Sequence, residues 1–373
     1  MLAKQAFIAA TPEAIAATVG PWRTESPELG VLLLLPEAEQ AALPALQAWF
    51  RTHDVPLVGA IFPALIANEG FTNEGALLVG FESMPPLFLL DRLGAGERTA
   101  HSRISSATRE ALTRTDGNDK PTLFLIFDAM VPNIASILDG TYRDLRATVR
   151  YAGVNAGSES FQAMPCLFDS NSLIGEGVLG LLLEGQPVIA EHGYPVAKTL
   201  MQATSTSGNR IELIDRRPAM EVYQEVIAAD FGISLTPENF YDYAVHYPFG
   251  VVSALTVLVR IPVAFDADGT IHCVGEVPNH SILRLIRAPK VEASPCVANI
   301  AKSLLAGTAR DWLLSFYCAG RRMHFGEQSG SELAQLRRDT NVRAVLGALS
   351  LGEISTNAEF GIPEFHNAAL VCL

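Results

Sequence analysis

Cysteine is scarce. The 373 residues hold five, Cys166, Cys273, Cys296, Cys318 and Cys372, an odd number with no C-x-x-C or other short metal spacing among them. That usage excludes a disulfide scaffold and a cysteine zinc site, and it suits a reduced, cytoplasmic chain. Basic charge is also short, with 27 Lys and Arg against 40 Asp and Glu for a net charge of −13. No basic run exceeds Arg216-Arg217, Arg321-Arg322 or Arg337-Arg338, so nothing is present to displace phosphate counterions, and nucleic acid is not an expected partner. Long apolar runs are missing too. The longest, residues 31–35 and 251–265 (the latter broken by Arg260), fall short of the roughly 18 apolar residues of a membrane span. The apolar stretch at residues 6–10 is cut by Pro12 and Glu13 before it reaches the length of a secretion signal. Catalytic motifs are absent as well: no H-E-x-x-H, no G-x-S-x-G and no P-loop.

What the chain does have is core-forming material, 49% hydrophobic against 18% charged residues, which excludes disorder. Single cores stop growing near about 250 to 300 residues, so two domains are expected. Residues 31–35 and 55–61 read as strands buried on both faces, with a helix between them that starts at Pro44 or earlier. A short helix is expected at 11–18, capped by Thr11 with Pro12 at its first position. Strands are expected at 75–82, 122–127 and 151–157, with helices near 102–113 and 133–145. Residues 163–168, 174–184 and 186–192 read as an antiparallel meander. The polar, Ser/Thr-rich stretch 195–209 then separates a first domain, 1–200, from a second, 210–373. In the second, a helix at 218–229, a strand-like run at 251–265, helices at 297–305 and 330–340 and a strand at 311–318 are expected. The fold class is therefore α/β, with two domains of mixed β-sheets covered by helices.

One internal echo stands out. Val58-Gly59-Ala-Ile-Phe-Pro-Ala-Leu-Ile66 and Leu346-Gly347-Ala-Leu-Ser-Leu-Gly-Glu-Ile354 both read as strand, glycine, small turn and apolar exit, as a duplication would produce. By contrast, Gly175-Glu-Gly-Val-Leu-Gly180 fits G-x-G-x-x-G without a strand-to-helix transition around it, which makes it sheet packing and not a nucleotide site.

The closing segment Gly347-Ala-Leu-Ser-Leu-Gly-Glu-Ile354, followed by Phe365-His-Asn367, resembles the signature of the FIST family, a sensory module of bacterial and eukaryotic signalling proteins. His246-Tyr-Pro-Phe-Gly250, Cys318-Ala-Gly-Arg321 and Glu212-Leu-Ile-Asp215 are similar to its other C-terminal elements. Pro56 to Gly59, Gly70, Asn133, Gly153, Ala156-Gly157, Phe161 and His192-Gly193 fall in the family's N-terminal order. Two departures remove carboxylates: Ala64-Leu65-Ile66 stands where Gly-Glu-Ile is frequent, and Ala156-Gly157-Ser158 where Ala-Gly-Asp is usual. They shift the expected ligand site to the second half. The resemblance implies a ligand-sensing signal-transduction protein. Some free-standing members bind haem, sense nitric oxide and act on a partner histidine kinase, which makes haem b a candidate cofactor and a sensor histidine kinase or cyclic-dinucleotide enzyme a candidate partner.

A haem site needs an axial imidazole and an apolar, aromatic pocket. His246, beside Tyr243, Tyr247, Pro248 and Phe249, is the first choice for the axial ligand and His192, His324 and His366 are weaker ones; the simpler reading is that His246 packs and hydrogen-bonds at a strand entry. Without haem, Glu353, His366 and Asn367 could hold the ammonium and carboxylate of an amino acid, with Arg260 and Arg321 as carboxylate clamps, or the same arginines could be structural pairs at a domain seam. A third reading takes Cys318 near His324 as a thiol nucleophile of a hydrolase, against which stands the apolar strand before Cys318. Small-molecule ligand sensing without catalysis, no membrane insertion and compatibility with a homodimer complete the expectations.

Overall fold

Continuous apolar runs demand cover on both faces. In the computed structural model, which describes residues 2–67, 70–94, 99–115, 119–184, 189–252, 256–291, 295–305, 311–356 and 361–373, they form the centres of three six-stranded sheets. Each centre is a parallel pair: Gly30–Pro36 with Leu57–Phe62, Thr122–Asp128 with Arg150–Ala156, and Trp312–Cys318 with Ala344–Ser350. Helices make the crossovers that parallel pairing requires. Leu43–Thr52 serves the first pair, Ile134–Leu145 the second, and Ala319–Phe325 with Ser329–Thr340 the third.

The flanking strands repeat as well. Ala76–Phe81, Val178–Leu183 and Leu370–Cys372 each lie antiparallel to the first strand of their pair, and Leu2–Ile8, Leu87–Leu90 and Ile189–Glu191 pair outside them. On the other flank each sheet is completed by two strands from a different unit. Leu65–Ala67 and Gly70–Thr72 leave the first unit for the third sheet; Glu353–Thr356 and Pro363–His366 leave the third for the second; Leu167–Asp169 and Leu173–Ile174 leave the second for the first. The sequence echo is thus two copies of a motif present three times, the third running from Gly153. In all three the glycine faces a carbonyl of the neighbouring strand: a Cβ on Gly59, Gly153 or Gly347 would lie 2.1, 2.0 or 1.7 Å from the oxygen of Leu33, Leu125 or Ser315.

The inner faces of the three sheets share one core, in which Phe316 of the third sheet touches Phe62 of the first and Phe124 of the second, both at 5.7 Å between ring centroids. Outer faces are covered by helix pairs, Ala100–Leu112 with Ile134–Leu145 on the second sheet and Cys296–Leu305 with Ser329–Thr340 on the third. Between Ile189–Glu191 and helix Cys296–Leu305 the third unit carries an insertion, an eight-stranded antiparallel sheet packed with helices Ala219–Phe231 and Phe240–Ala244 around its own core. The chain is therefore α/β in two domains, a three-sheet body and an inserted β-domain.

Several expectations change. Residues 163–192 form no continuous meander: Leu167–Asp169 and Leu173–Ile174 pair with each other on the edge of the first sheet, whereas Val178–Leu183 joins the second sheet and Ile189–Glu191 the third. The run at 251–265 divides into Phe249–Val252, Val257–Arg260 and Pro262–Phe265, with residues 253–255 outside the described region. The first helix spans Pro12–Glu25 and continues through Pro21. Strand pairing crosses the division at residues 200–210, since Leu65–Ala67 pairs with Ala344–Ser350 and Glu353–Thr356 with Arg150–Ala156.

The glycine contacts give a direct test. Gly153→Ala should destabilise by roughly 1 to 3 kcal/mol or more, because the obstructing atom is backbone and cannot rotate away. Gly20→Ala, in a helix with nothing within 4 Å of the added carbon, should stabilise by up to about 1 kcal/mol. Urea denaturation of the two variants checks both.

Candidate functional site

The third crossover begins at the carboxyl end of Trp312–Cys318, the edge where α/β sheets generally present ligand-binding groups. Helix Ala319–Phe325 starts there and places Arg321, His324 and Phe325 on one side, at the i, i+3, i+4 spacing. Arg321, with no exposed surface, donates to both oxygens of buried Glu332 (2.5 and 2.8 Å) and to the carbonyls of His192 and Ala368. Tyr317 adds a hydroxyl donor to Glu332. The guanidinium also lies over the rings of Phe325, Tyr194 and Tyr317. This buried pair fixes the helix, and the helix carries His324 to the seam with the inserted domain.

At that seam is a cavity of about 780 Å³. Tyr243, His246 and Tyr247 line it from the inserted domain, His324, Phe325 and Gln328 from the body, and Tyr194, Arg287, Pro289 and Lys290 from the two connecting segments. The imidazoles of His246 and His324 meet Nδ1 to Nδ1, with ring centroids 4.6 Å apart. His324 Nε2 lies 2.8 Å from the carbonyl of Pro289. Burial lowers the pKa of His246, and lowers that of His324 to about 4 with His246 and Arg321 adding to the effect, so both rings are neutral at pH 7. The Tyr194 hydroxyl is buried and has no hydrogen-bond partner among the described residues. The site thus combines an imidazole pair, aromatic walls and two cations.

Of the residues singled out from sequence, only His246 and His324 line this cavity. His192 lies one residue from it; its Nδ1 accepts from the Tyr194 backbone N–H, and burial lowers its pKa to about 4. The five proposed ligand-binding residues instead engage protein groups around the seam. Arg260 donates to the carbonyls of Glu276, Val259 and Phe365, and burial lowers its pKa to about 10. Asn367 donates to the carbonyls of Val259 and Val274. His366 contacts Ser355 Oγ at 3.1 Å, and burial lowers its pKa to about 3. Arg321 belongs to the pair with Glu332. Glu353 accepts from Ser350 Oγ and the Ala369 N–H. The thiol of Cys318 is buried, accepts from the Ala368 N–H and is pushed up in pKa by burial. His324 is committed to His246 and Pro289, so no activated thiolate pair forms. Tyr194, Arg287 and Lys290 were not singled out from sequence; the only local signal was Arg287-Ala-Pro-Lys290, two cations around a proline after an apolar strand. Among the described residues no group of three or more His, Cys, Asp and Glu side chains is arranged to hold a metal ion.

Glu353 offers a pH-dependent readout. Burial raises its pKa to about 8, against the opposing contacts of Ser350, Ala369, Cys318 and Arg321. Between pH 4.5 and 8 the folded chain therefore keeps a proton that the unfolded chain has released, and stability from this group falls as pH rises. Glu353→Gln, which cannot titrate, should gain in Tm relative to the wild type from pH 5 to pH 8; a flat difference across that interval would contradict a protonated buried carboxyl. Loss of the Arg321 partner in Glu332→Ala should cost roughly 3 to 5 kcal/mol in a denaturant titration, because an unpaired buried guanidinium remains.

Comparison with protein families matches residues 29–217 to the FIST N domain and residues 219–356 to the FIST C domain. A search of curated proteins finds no match. No helix among the described residues is long and apolar enough to cross a membrane. The two domain matches together cover most of the sequence and meet at residue 218, within the inserted domain of the third unit. The chain belongs to the FIST family, whose domains are sensory modules of signal transduction.

Proposed function

We propose that this chain is a haem-based nitric oxide sensor that holds its cofactor in the seam cavity and acts on a partner histidine kinase or cyclic-dinucleotide enzyme in the cytoplasm. The observation that carries the reading is the juxtaposition in one cavity of the His246–His324 imidazole pair with Tyr194, Tyr243, Tyr247 and Phe325 and the cations Arg287 and Lys290. Haem requires an imidazole ligand, aromatic cover and counter-charges for two carboxylates. Each is supplied here by a side chain of suitable chemistry. Haem, when bound, supplies an iron centre that takes up nitric oxide. His246 would be the axial ligand, Arg287 and Lys290 the partners of the carboxylates, and the aromatic side chains the walls that exclude water.

Cavity size favours this reading over a free amino acid. About 780 Å³ lies in the upper part of the range of roughly 300 to 1,000 Å³ typical of cofactor and drug-sized ligands, more than a single amino acid fills. The five residues first matched to an amino acid are occupied by protein groups, and a thiol hydrolase would need an exposed thiolate that buried Cys318 does not offer. A small carboxylate ligand remains the second reading, because Arg287 and Lys290 would suit it.

Titration of the purified protein with haem should give a sharp Soret band that moves on addition of nitric oxide. His246→Ala should lose the axial-imidazole signature, and Arg287→Ala and Lys290→Ala should each weaken binding roughly tenfold, as expected for loss of a charge-assisted hydrogen bond. A spectrum like that of free haem would refute the reading. A thermal-shift response to one amino acid, abolished by Arg287→Ala, would favour the second.

A further inference from the structure

We infer that His324 is a positioning residue: by taking its proton arrangement from the Pro289 carbonyl, it forces His246 to present a bare Nε2 lone pair. The inference rests on the reading of the seam cavity as the ligand site, but its central claim concerns the ligand-free protein.

The derivation uses only donors and acceptors. A carbonyl oxygen can accept but not donate, so the 2.8 Å contact with Pro289 places the proton of His324 on Nε2. A neutral imidazole carries a single N–H, so His324 Nδ1 is then an acceptor. His246 Nδ1 faces it directly and must be the donor. The remaining ring nitrogen, His246 Nε2, is left without a hydrogen and free to accept a proton donor or bind a metal centre. Fixing a ligand's tautomer by hydrogen bonding its other ring nitrogen is the general device of metal-binding histidines.

Backbone contacts hold the arrangement in register. The Ala288 N–H donates to the His246 carbonyl at 2.9 Å, and the next residue, Pro289, supplies the carbonyl that accepts from the His324 ring. The His246 N–H in turn donates to the Tyr243 carbonyl. One dipeptide, Ala288-Pro289, therefore anchors the backbone of one histidine and the ring of the other, coupling residues 78 positions apart across the seam. Nothing local in the sequence links the two rings.

Long-range proton–nitrogen correlation spectra of the full chain labelled with nitrogen-15 histidine, recorded at pH 7 without ligand, read the tautomers directly. The expected result is a proton on Nδ1 of His246 and on Nε2 of His324. His324→Phe, which cannot accept, should release His246 into the Nε2–H form, whereas His324→Gln, whose amide can accept from His246 and donate to Pro289, should retain the Nδ1–H form. With haem as the probe, the Phe variant should bind roughly 10- to 100-fold more weakly and the Gln variant should recover most of that loss. An Nε2 proton on His246 in the wild type, or a Phe variant with unchanged tautomer, would overturn the inference. The wild-type spectrum decides even if His324→Phe fails to fold. Correct tautomers in a protein that binds no haem would sink the haem reading and uphold the positioning role.

Discussion

The structure depends on how closely two parallel backbones approach at Gly59, Gly153 and Gly347. At each, the space a Cβ would need is occupied by a carbonyl of the neighbouring strand, so any side chain would push the pair apart. These pairs form the centres of the three sheets, and their inner faces meet in a single core. The second constraint follows from sheet edges. An unpaired edge beside the second strand of each pair would expose hydrogen-bonding groups, and here it is covered by strands from another unit. Because the exchange is cyclic, from first to third, third to second and second to first, no unit completes its own sheet. A break in any unit therefore exposes an edge and a core face in another, which favours loss of structure in the body as a whole.

Repetition makes the departures from it informative. Glu353 pairs with Val154 in a position that Leu65 occupies against Ala348 and Leu167 against Ala60 in the other two exchanges. Two apolar residues and one buried carboxyl thus fill equivalent places. Cys318, at the end of the third unit's first strand, corresponds to Pro36 and Asp128 in the other two. The third unit also holds the inserted domain and the buried Arg321–Glu332 pair. Its polar groups fall into two sets. Arg260 and Asn367 tie the inserted domain to the last strands of the body, whereas His246 and His324 face a cavity.

Much of the body was legible because strands buried on both faces leave uninterrupted apolar runs, and 31–35 and 311–318 both proved to be central strands. The glycine echo was legible for the same local reason. Its third copy was not, because residues 157–165 separate Gly153 from the exchanged strand at Leu167 and destroy the spacing seen at Gly59 and Gly347. The exchange itself leaves no local trace: nothing in residues 163–192 says that successive strands pair in different sheets. His246 could be chosen because its aromatic neighbours are adjacent in the chain. Tyr194, Arg287 and Lys290 come to it only through tertiary structure. Arg260, Arg321, Glu353, His366 and Asn367 had suitable chemistry for a ligand, but side-chain type does not reveal that protein groups already engage them: backbone carbonyls for Arg260 and Asn367, a carboxyl for Arg321, and hydroxyls for Glu353 and His366.

Signalling requires more than a pocket, since a ligand shifts a conformational equilibrium only by its difference in affinity for the two states. The placement of this cavity supplies such a difference. Tyr243 and His246 belong to the inserted domain and His324 and Phe325 to the body, so a ligand that touches both is held best at one separation of the two. The other part of the seam is clamped: Arg260 reaches the carbonyls of Glu276 and Phe365, and Asn367 those of Val259 and Val274. Movement that preserved these buried contacts would be a rotation about them, greatest at the His246–His324 side. Under the sensor reading, Arg260 and Asn367 hold one part of the seam closed and the imidazole pair lies where a ligand would bridge the two domains. Tight binding that left the His246–His324 contact unchanged would stabilise the chain without conveying a signal.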